Sequence, residues 1–268
     1  MFRKLALTAL IAVALTSGAA TAEEDEGSVT NYRFSFDGPF GAYDQNQLQR
    51  GLQVFTEVCS ACHGLRYVPI RTLSSADGPG LEPAEVRAYI DQNFVEVWDE
   101  DLRDYRTAVP NDNFPENDAA GAPDLSMMAK ARAGFHGPYG LAINQFLFGI
   151  GGPEYIASFL TGYSGEDEEV AGSYLYGNDI FYGGLTAMAP PLFDGQVEYN
   201  DGSPNDVESM SQDVAAFLMW AAEPEMMARK RMGFTAVILL GLLSVLLYLT
   251  NKRLWAPIKR RAKGGPAE

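Results

Sequence analysis

Residues 58–64 read VCSACHG, and this short stretch decides how the rest of the chain is interpreted. It holds both cysteines of the chain, Cys59 and Cys62, and His63 follows directly. Two cysteines at this spacing could form a redox disulfide, contribute to a metal site or attach a haem. The sequence on either side distinguishes these possibilities.

An amphipathic helix is predicted immediately before the motif. Leu48, Leu52, Phe55 and Val58 recur at spacings of four, three and three, which places them on one helix face. A disulfide oxidoreductase of the thioredoxin type would instead surround the cysteines with alternating strands and helices. The prediction is therefore a pair of thiols at the C-terminal end of a helix.

A zinc site is disfavoured because it needs four ligands and the chain offers few. The only other histidine is His136, and there is no second C-x-x-C pair. C-x-x-C-H is the attachment signal for a c-type haem. The two thiols lie about one helical turn apart and can reach the two vinyl groups of one porphyrin edge, while the next histidine can bind the iron.

The second axial ligand decides between electron transfer and chemistry at an open iron. His136 lies in a glycine-rich stretch, ARAGFHGPYG, that is typical of a surface loop, and Met210 and Met219 lie in a predicted core helix. Met188, in YGGLTAMAPPL, is followed by two prolines that exclude a regular helix and stiffen the backbone. Met188 is thus either the sixth ligand, which this context favours, or an ordinary core methionine.

The two ends of the chain predict export and anchoring. Residues 1–22 combine two basic residues, an apolar run and a terminal ATA, which is the pattern of a cleaved signal peptide. Residues 232–250 are nineteen residues without a charge, long enough to span a bilayer. Three basic residues precede this span and six follow it, which favours a cytoplasmic C-terminus. The predicted divisions are a signal peptide (1–22), an exported haem domain (23–228), a transmembrane anchor (229–251) and a basic tail (252–268).

The exported body is strongly acidic. The net charge of -15 hides a body of about -25, because the signal peptide, the basic cluster at 229–231 and the tail are all positive. Such a charge excludes nucleic acid as a natural partner. It favours either plain solubility or electrostatic capture of a basic protein.

Several strings in a fixed order resemble the cytochrome c1 family of cytochrome bc1 complexes. They are CSACHG, PDLS, FLTGY, AMAPPLFDG and AAFLMWAAEPE, followed by RKRMGF and the apolar span. The resemblance, closest to bacterial forms, implies a mainly α, cytochrome c-like haem domain with long loops and one C-terminal transmembrane helix. It implies covalent haem c on Cys59 and Cys62, iron ligands His63 and Met188, and a haem propionate contact from Arg132.

The resemblance also implies partners and a location. The chain would be an electron-transfer subunit, not an enzyme by itself, of the ubiquinol–cytochrome c oxidoreductase complex in respiratory or photosynthetic electron transport. It would take an electron from the Rieske iron-sulfur protein beside cytochrome b and pass it to a basic, soluble or tethered cytochrome c. The haem domain would lie in the periplasm and the anchor in the bacterial inner membrane.

Two alternatives stay open on the residues. Another membrane-anchored monohaem cytochrome, such as an oxidase subunit or a tethered shuttle, would share the haem motif and the anchor. A haem enzyme or gas sensor would leave the iron open. Residues 134–153 look like an insertion relative to shorter family members, and we expect them to brace the Met188 region, since no cysteine remains for a disulfide there. The acidic stretches near residues 99–123 and 164–179 are predicted to be loops.

Overall fold

The fold is mainly helical, as predicted. The computed structural model describes residues 29–117, 121–133, 149, 151–170 and 172–262. The predicted signal peptide and most of the 134–153 segment lie outside these residues. The α-helices are α1 (Gln45–Glu57), α2 (Pro83–Gln92), α3 (Met128–Ala131), α4 (Gly152–Thr161), α5 (Val207–Ala222) and α6 (Met226–Ala262). Two 3-10 turns span Cys59–Ala61 and Ile70–Ser74.

The prediction of loops in the acidic stretches was wrong, because two small sheets form there. Strands β1 (Glu96–Asp99) and β2 (Asp104–Thr107) make an antiparallel hairpin. Strands β3 (Glu168–Val170), β4 (Ser173–Gly177) and β5 (Leu185–Thr186) make a second antiparallel sheet in that order. The first hairpin is held by its acidic residues, since Arg106 pairs with both Asp99 and Asp112 at 2.7 Å.

The core forms where α1 crosses α5. Gly51 of α1 sits at the crossing, and a Cβ added there would lie 2.1 Å from the Asp213 carbonyl oxygen and 2.6 Å from Cβ of Phe217. Arg50 donates two hydrogen bonds to the buried Asp213 carboxylate, at 2.8 and 3.1 Å. This bidentate pair crosses from α1 to α5 and fixes how the two helices lie.

Helix α1 has clear local determinants at its start. Asp44 caps its N-terminus by accepting hydrogen bonds from the backbone of Asn46 and Gln47. Its apolar face, which includes Leu48, Leu52 and Phe55, is buried in the core. The helix stops at Glu57, so the cysteine pair begins directly at its C-terminal end.

The chain bends between α5 and α6, where the sequence has Pro224. Helix α5 ends at Ala222 and α6 begins at Met226, as expected when proline removes a backbone donor. Tyr43 donates its hydroxyl to the carbonyl oxygens of Met219 and Glu223, at 3.3 and 3.2 Å. The bend is therefore held in place by the side chain of Tyr43, which lies just before α1.

Helix α6 is long and apolar enough to cross a membrane. Residues Met226–Arg260 have a mean hydropathy of 2.4 over the most apolar window, and none of that window is buried within the protein. At about 1.5 Å per residue the whole helix is about 55 Å long, which exceeds a hydrocarbon core of about 30 Å. Among the described residues this is the one helix that could cross a membrane, and it forms the C-terminal membrane anchor of the chain.

Candidate functional site

The two cysteines lie on a single 3-10 turn. The backbone N–H groups of Cys62 and His63 both donate to the Cys59 carbonyl oxygen, at 3.1 and 2.9 Å. Both cysteines are free thiols; Cys62 is exposed, whereas Cys59 is partly buried against the core. Burial raises the pKa of the Cys59 thiol to about 12. The turn lies between α1 and a second 3-10 turn, and not in the alternation of strands and helices that surrounds the cysteines of a thioredoxin-type oxidoreductase.

One ring nitrogen of His63 is engaged in a hydrogen bond, and the other can bind a metal. Nδ1 lies 2.7 Å from the carbonyl oxygen of Pro123, which can only accept a hydrogen bond. The ring therefore carries its proton on Nδ1, and Nε2 keeps a lone pair that can bind a metal. A carbonyl partner on the distal nitrogen is what orients metal-binding imidazoles in proteins.

Side chains from residues 117–126 hold the motif in place. Asn117 donates to the carbonyl oxygens of Ser60 and Ala61, at 3.0 and 3.1 Å. Asp124 accepts the Arg66 backbone N–H at 3.0 Å, and Ser126 accepts that of Tyr67 at 3.1 Å. Neither of these side chains caps α3, because Met127 occupies the N-cap position without a side-chain hydrogen bond.

Gly64 brings this supporting segment close to the motif. A Cβ at Gly64 would lie 2.7 Å from the Asn117 nitrogen, the Glu116 Cα and the Pro115 carbonyl oxygen. No larger residue fits between the two backbones without displacing one of them. The residue after His63 is therefore constrained by a close approach that the sequence did not reveal.

Met188 lies two residues beyond the small sheet. Strand β5 pairs with β4, and Gly183 and Gly184 adopt φ values of 84° and 76° in the turn before it. Such positive values favour glycine, which explains the Gly-Gly sequence. The Met188 backbone N–H donates to Thr186 Oγ1 at 3.3 Å, and the Tyr163 hydroxyl donates to the Met188 carbonyl oxygen at 3.0 Å.

Met188 and Cys59 pack against the same hydrophobic core. Met188 is partly buried, whereas Met210 and Met219 are buried within α5, as predicted. The sequence reasoning missed Tyr163, which stabilises the methionine loop from the end of α4. The string FLTGY contained it, but nothing local in that string indicates a partner 25 residues away.

Arg132 stands apart from the residues described above. It follows α3 directly, its side chain is exposed, and it forms no ion pair with any carboxylate in the described ranges. Its carbonyl oxygen would lie 2.9 Å from a Cβ at Gly152, so its backbone packs against the start of α4. His136 lies outside the described residues. So does most of the 134–153 segment, of which only residues 149 and 151–153 are described, and the bracing role expected of it stays a prediction.

The donor set fits a c-type haem better than a protein-bound metal ion. Two free thiols, an imidazole nitrogen with a lone pair and a thioether on a stiff loop are the groups that such a haem requires. Within the residues described by the structure, no group of three or more His, Cys, Asp or Glu side chains could hold a metal ion. The arrangement therefore suits a macrocycle that brings its own iron.

Comparison with known proteins also indicates a haem protein, and the matches cover nearly the whole chain. The sequence matches the cytochrome C1 family over residues 34–258. It is 52% identical to cytochrome c1 of Cereibacter sphaeroides, covering 98% of this chain and 99% of that one. It is 48% identical to cytochrome c1 of Rhodobacter capsulatus, covering 97% and 99%.

A third relative is a larger protein. The chain is 39% identical to cytochrome b/c1 of Bradyrhizobium diazoefficiens, covering 88% of this chain but 37% of that protein. The family match covers the haem motif, the methionine loop and the membrane helix together. The chain therefore belongs to the cytochrome C1 family, and it is a membrane-anchored electron-transfer subunit of a bc1 complex that carries a covalently bound haem c.

Proposed function

We propose that Cys59 and Cys62 hold the haem through thioether bonds and that His63 and Met188 are the axial ligands of its iron. The observation that carries this proposal is the hydrogen bond from His63 Nδ1 to the Pro123 carbonyl oxygen, which leaves Nε2 available beside two free thiols. Met188 sits on a loop tied down on both sides of its backbone, by Thr186 and Tyr163. The haem supplies a one-electron Fe(III)/Fe(II) couple when bound.

The protein residues determine what that couple can do. His63 and Met188 would hold the iron and leave no position for a small molecule, so the bound haem would supply outer-sphere electron transfer. The Pro123 carbonyl keeps the His63 imidazole in one orientation. The hydrogen bonds of Tyr163 and Thr186 to the Met188 backbone keep the thioether side chain in position to bind the iron. Quinol oxidation then belongs to the assembled complex and not to this chain.

Arg132 is proposed as a contact to a haem propionate. Its guanidinium is exposed and makes no ion pair with the carboxylates of the described ranges. A guanidinium can bind a carboxylate with two parallel hydrogen bonds, which lysine cannot do. This assignment is based on the resemblance of the AKARAG string to the family. It is supported by the exposed guanidinium, which is free to bind a carboxylate.

We further propose that the electron comes from a Rieske iron-sulfur protein and leaves to a basic cytochrome c, soluble or tethered. The acidic exported body, at about -25, supports capture of a basic acceptor. A relative named cytochrome b/c1 joins both names in one protein, which supports cytochrome b as the neighbouring subunit.

The proposed topology follows from the two ends of the sequence. Residues 1–22 are removed, residues 23–228 form the periplasmic domain, residues 229–251 cross the inner membrane and residues 252–268 are cytoplasmic. The excess of basic residues after the span supports this orientation. The single apolar helix of the described residues supports one crossing.

The ligand assignment is tested by Met188→Leu, which removes the thioether at nearly constant volume. We expect the low-spin methionine-ligated optical spectrum to be lost, the reduction potential to fall and the reduced iron to bind carbon monoxide. Met210→Leu is the matched control, because Met210 is fully buried in α5 and the same substitution there costs less than about 1.5 kcal/mol. Optical spectroscopy and redox titration of both variants provide the measurement.

The same experiment separates the alternatives. An unchanged spectrum in Met188→Leu would contradict the ligand assignment. Carbon monoxide binding by the unsubstituted protein would point instead to an open iron and to a haem enzyme or gas sensor. Copurification with a multispan cytochrome b distinguishes this chain from an anchored cytochrome of another kind.

A further inference from the structure

A short loop of the haem domain lies against the beginning of the membrane helix. Phe40, in the loop at residues 37–41, has 77% of its side chain exposed. Its ring centroid lies 5.5 Å from that of Phe234 in α6, with the ring planes at 73°. Phe234 is itself 52% exposed and belongs to the uncharged apolar span. An edge-to-face pair of exposed aromatic rings thus joins the domain to the span.

Hydrogen bonds from α6 hold this loop against the helix. Lys230 of α6 donates from Nζ to the carbonyl oxygens of Phe36 and Gly41, which lie before and after Phe40. Gly41 is packed so closely that a Cβ would lie 2.1 Å from the Asp37 carbonyl oxygen. Phe36 stacks on Phe34 in the core at 5.0 Å, which ties the start of the loop to the domain.

The position along α6 sets the depth of the Phe40 ring. Phe234 lies four residues beyond Lys230, which is about 6 Å along the helix axis. Residues 229–231 are all basic, and no charged residue follows until Lys252. The Phe40 ring, in contact with Phe234, is therefore on the apolar side of the basic cluster, where the helix passes from headgroups into hydrocarbon.

We propose that Phe40 is inserted into the lipid bilayer at the boundary between headgroups and acyl chains, as a second membrane contact of the haem domain. Aromatic rings are enriched at this depth, since they are apolar yet tolerate the polar boundary. Lipid is the occupant that fits this surface, because the Phe40 ring continues the surface of Phe234, which belongs to the uncharged membrane span.

The test uses the full-length, haem-loaded chain in lipid nanodiscs with a nitroxide label at Phe40→Cys. Collision rates with oxygen, which concentrates in lipid, and with a water-soluble nickel chelate report the surroundings of the label. Phe234→Cys is the lipid reference, and Leu102→Cys, at a residue 65% exposed in the β1–β2 turn, is the aqueous reference. The unsubstituted protein gives the background labelling of Cys59 and Cys62.

We expect the label at position 40 to collide more with oxygen than with the nickel chelate, as at position 234, and the reverse at position 102. A label at position 40 that behaves like position 102 would show that the loop lies in water, and the proposal would fail. Low collision rates with both reagents would show that protein covers the ring, which would also overturn it. Because Phe40 is a surface residue, the variants are expected to fold normally.

Discussion

At the scale of single residues, the site depends on hydrogen bonds to groups that lie far away in the chain. His63 is oriented by the carbonyl of Pro123, sixty residues later, and Met188 by the hydroxyl of Tyr163. Both contacts hold a proposed ligand in place from outside the ligand set. Their effect should therefore be seen in the strength of ligation and not in the presence of the haem.

Tyr163→Phe removes one hydrogen bond to the methionine loop. Burial raises the pKa of Tyr163 to about 12, so its hydroxyl stays protonated and donates to the Met188 carbonyl at neutral pH. We expect the variant to keep its haem but to show a lower reduction potential and slow carbon monoxide binding that the unsubstituted protein lacks. Redox titration and stopped-flow absorbance measure these changes.

Tyr182→Phe is the control for that experiment. Tyr182 is 66% exposed, and the same loss of a hydroxyl there should change neither the potential nor carbon monoxide binding. Equal behaviour of the two variants would mean that the Tyr163 hydrogen bond does not support the methionine loop.

The sequence indicated the haem motif and the methionine but not the residues that position them. Cys59, Cys62 and His63 are adjacent, and Met188 is marked by flanking glycines and prolines, so local patterns suffice. Tyr163, by contrast, acts across 25 residues, and its neighbourhood only indicates the end of a helix. Whether Met188 binds the iron stays a prediction, as does the propionate contact of Arg132.

At the scale of elements, the helices were predictable because their determinants are local. An apolar stripe and a capping aspartate mark α1, and Pro224 marks the break after α5. The hairpins were missed because they are short and rich in charged residues. Their stability depends on ion pairs such as Arg106 with Asp112, which hydrophobic periodicity does not reveal.

Gly51→Ala tests the close crossing of α1 and α5. On helix propensity alone alanine would stabilise α1 by about 1 kcal/mol. The new Cβ would instead lie 2.1 Å from the Asp213 carbonyl oxygen, so the helices must separate. We expect a net loss of about 2 kcal/mol in the free energy of unfolding, measured by denaturant titration in detergent.

Gly233→Ala is the matched control, because no heavy atom lies within 4 Å of a Cβ added at that helical glycine. It should leave the unfolding of the haem domain unchanged. A Gly51→Ala variant as stable as the unsubstituted protein would show that the two helices do not approach as closely as described.

At the scale of the whole molecule, charge is divided sharply between the parts of the chain. The body at residues 23–228 carries about -25, whereas the segments at both ends of the apolar span are basic. A strongly acidic domain attracts basic proteins over distances comparable to the Debye length of about 10 Å at 0.1 M salt. This charge division is readable from sequence, but which acidic groups meet the acceptor is not.

Salt should therefore slow electron transfer to a basic cytochrome c. Raising the ionic strength from about 10 mM to about 200 mM is expected to lower the second-order rate constant by about tenfold, because screening removes the electrostatic steering. Stopped-flow oxidation of the reduced protein provides the rate. An acidic cytochrome acceptor should show the opposite dependence, and a rate with a basic acceptor that does not change with salt would contradict electrostatic docking.

The junction between domain and anchor has a mechanical consequence for electron delivery. Glu223 pairs with Lys130 and Arg229, Asp77 with Arg231, and Lys230 joins the 37–41 loop, so α6 is clamped on several sides. A cytochrome that ferried electrons between distant partners would need a slack tether. Because the domain is held against its anchor, we expect its electron donor and its electron acceptor to move to it. The distance that each partner can move then limits which complexes this domain can connect.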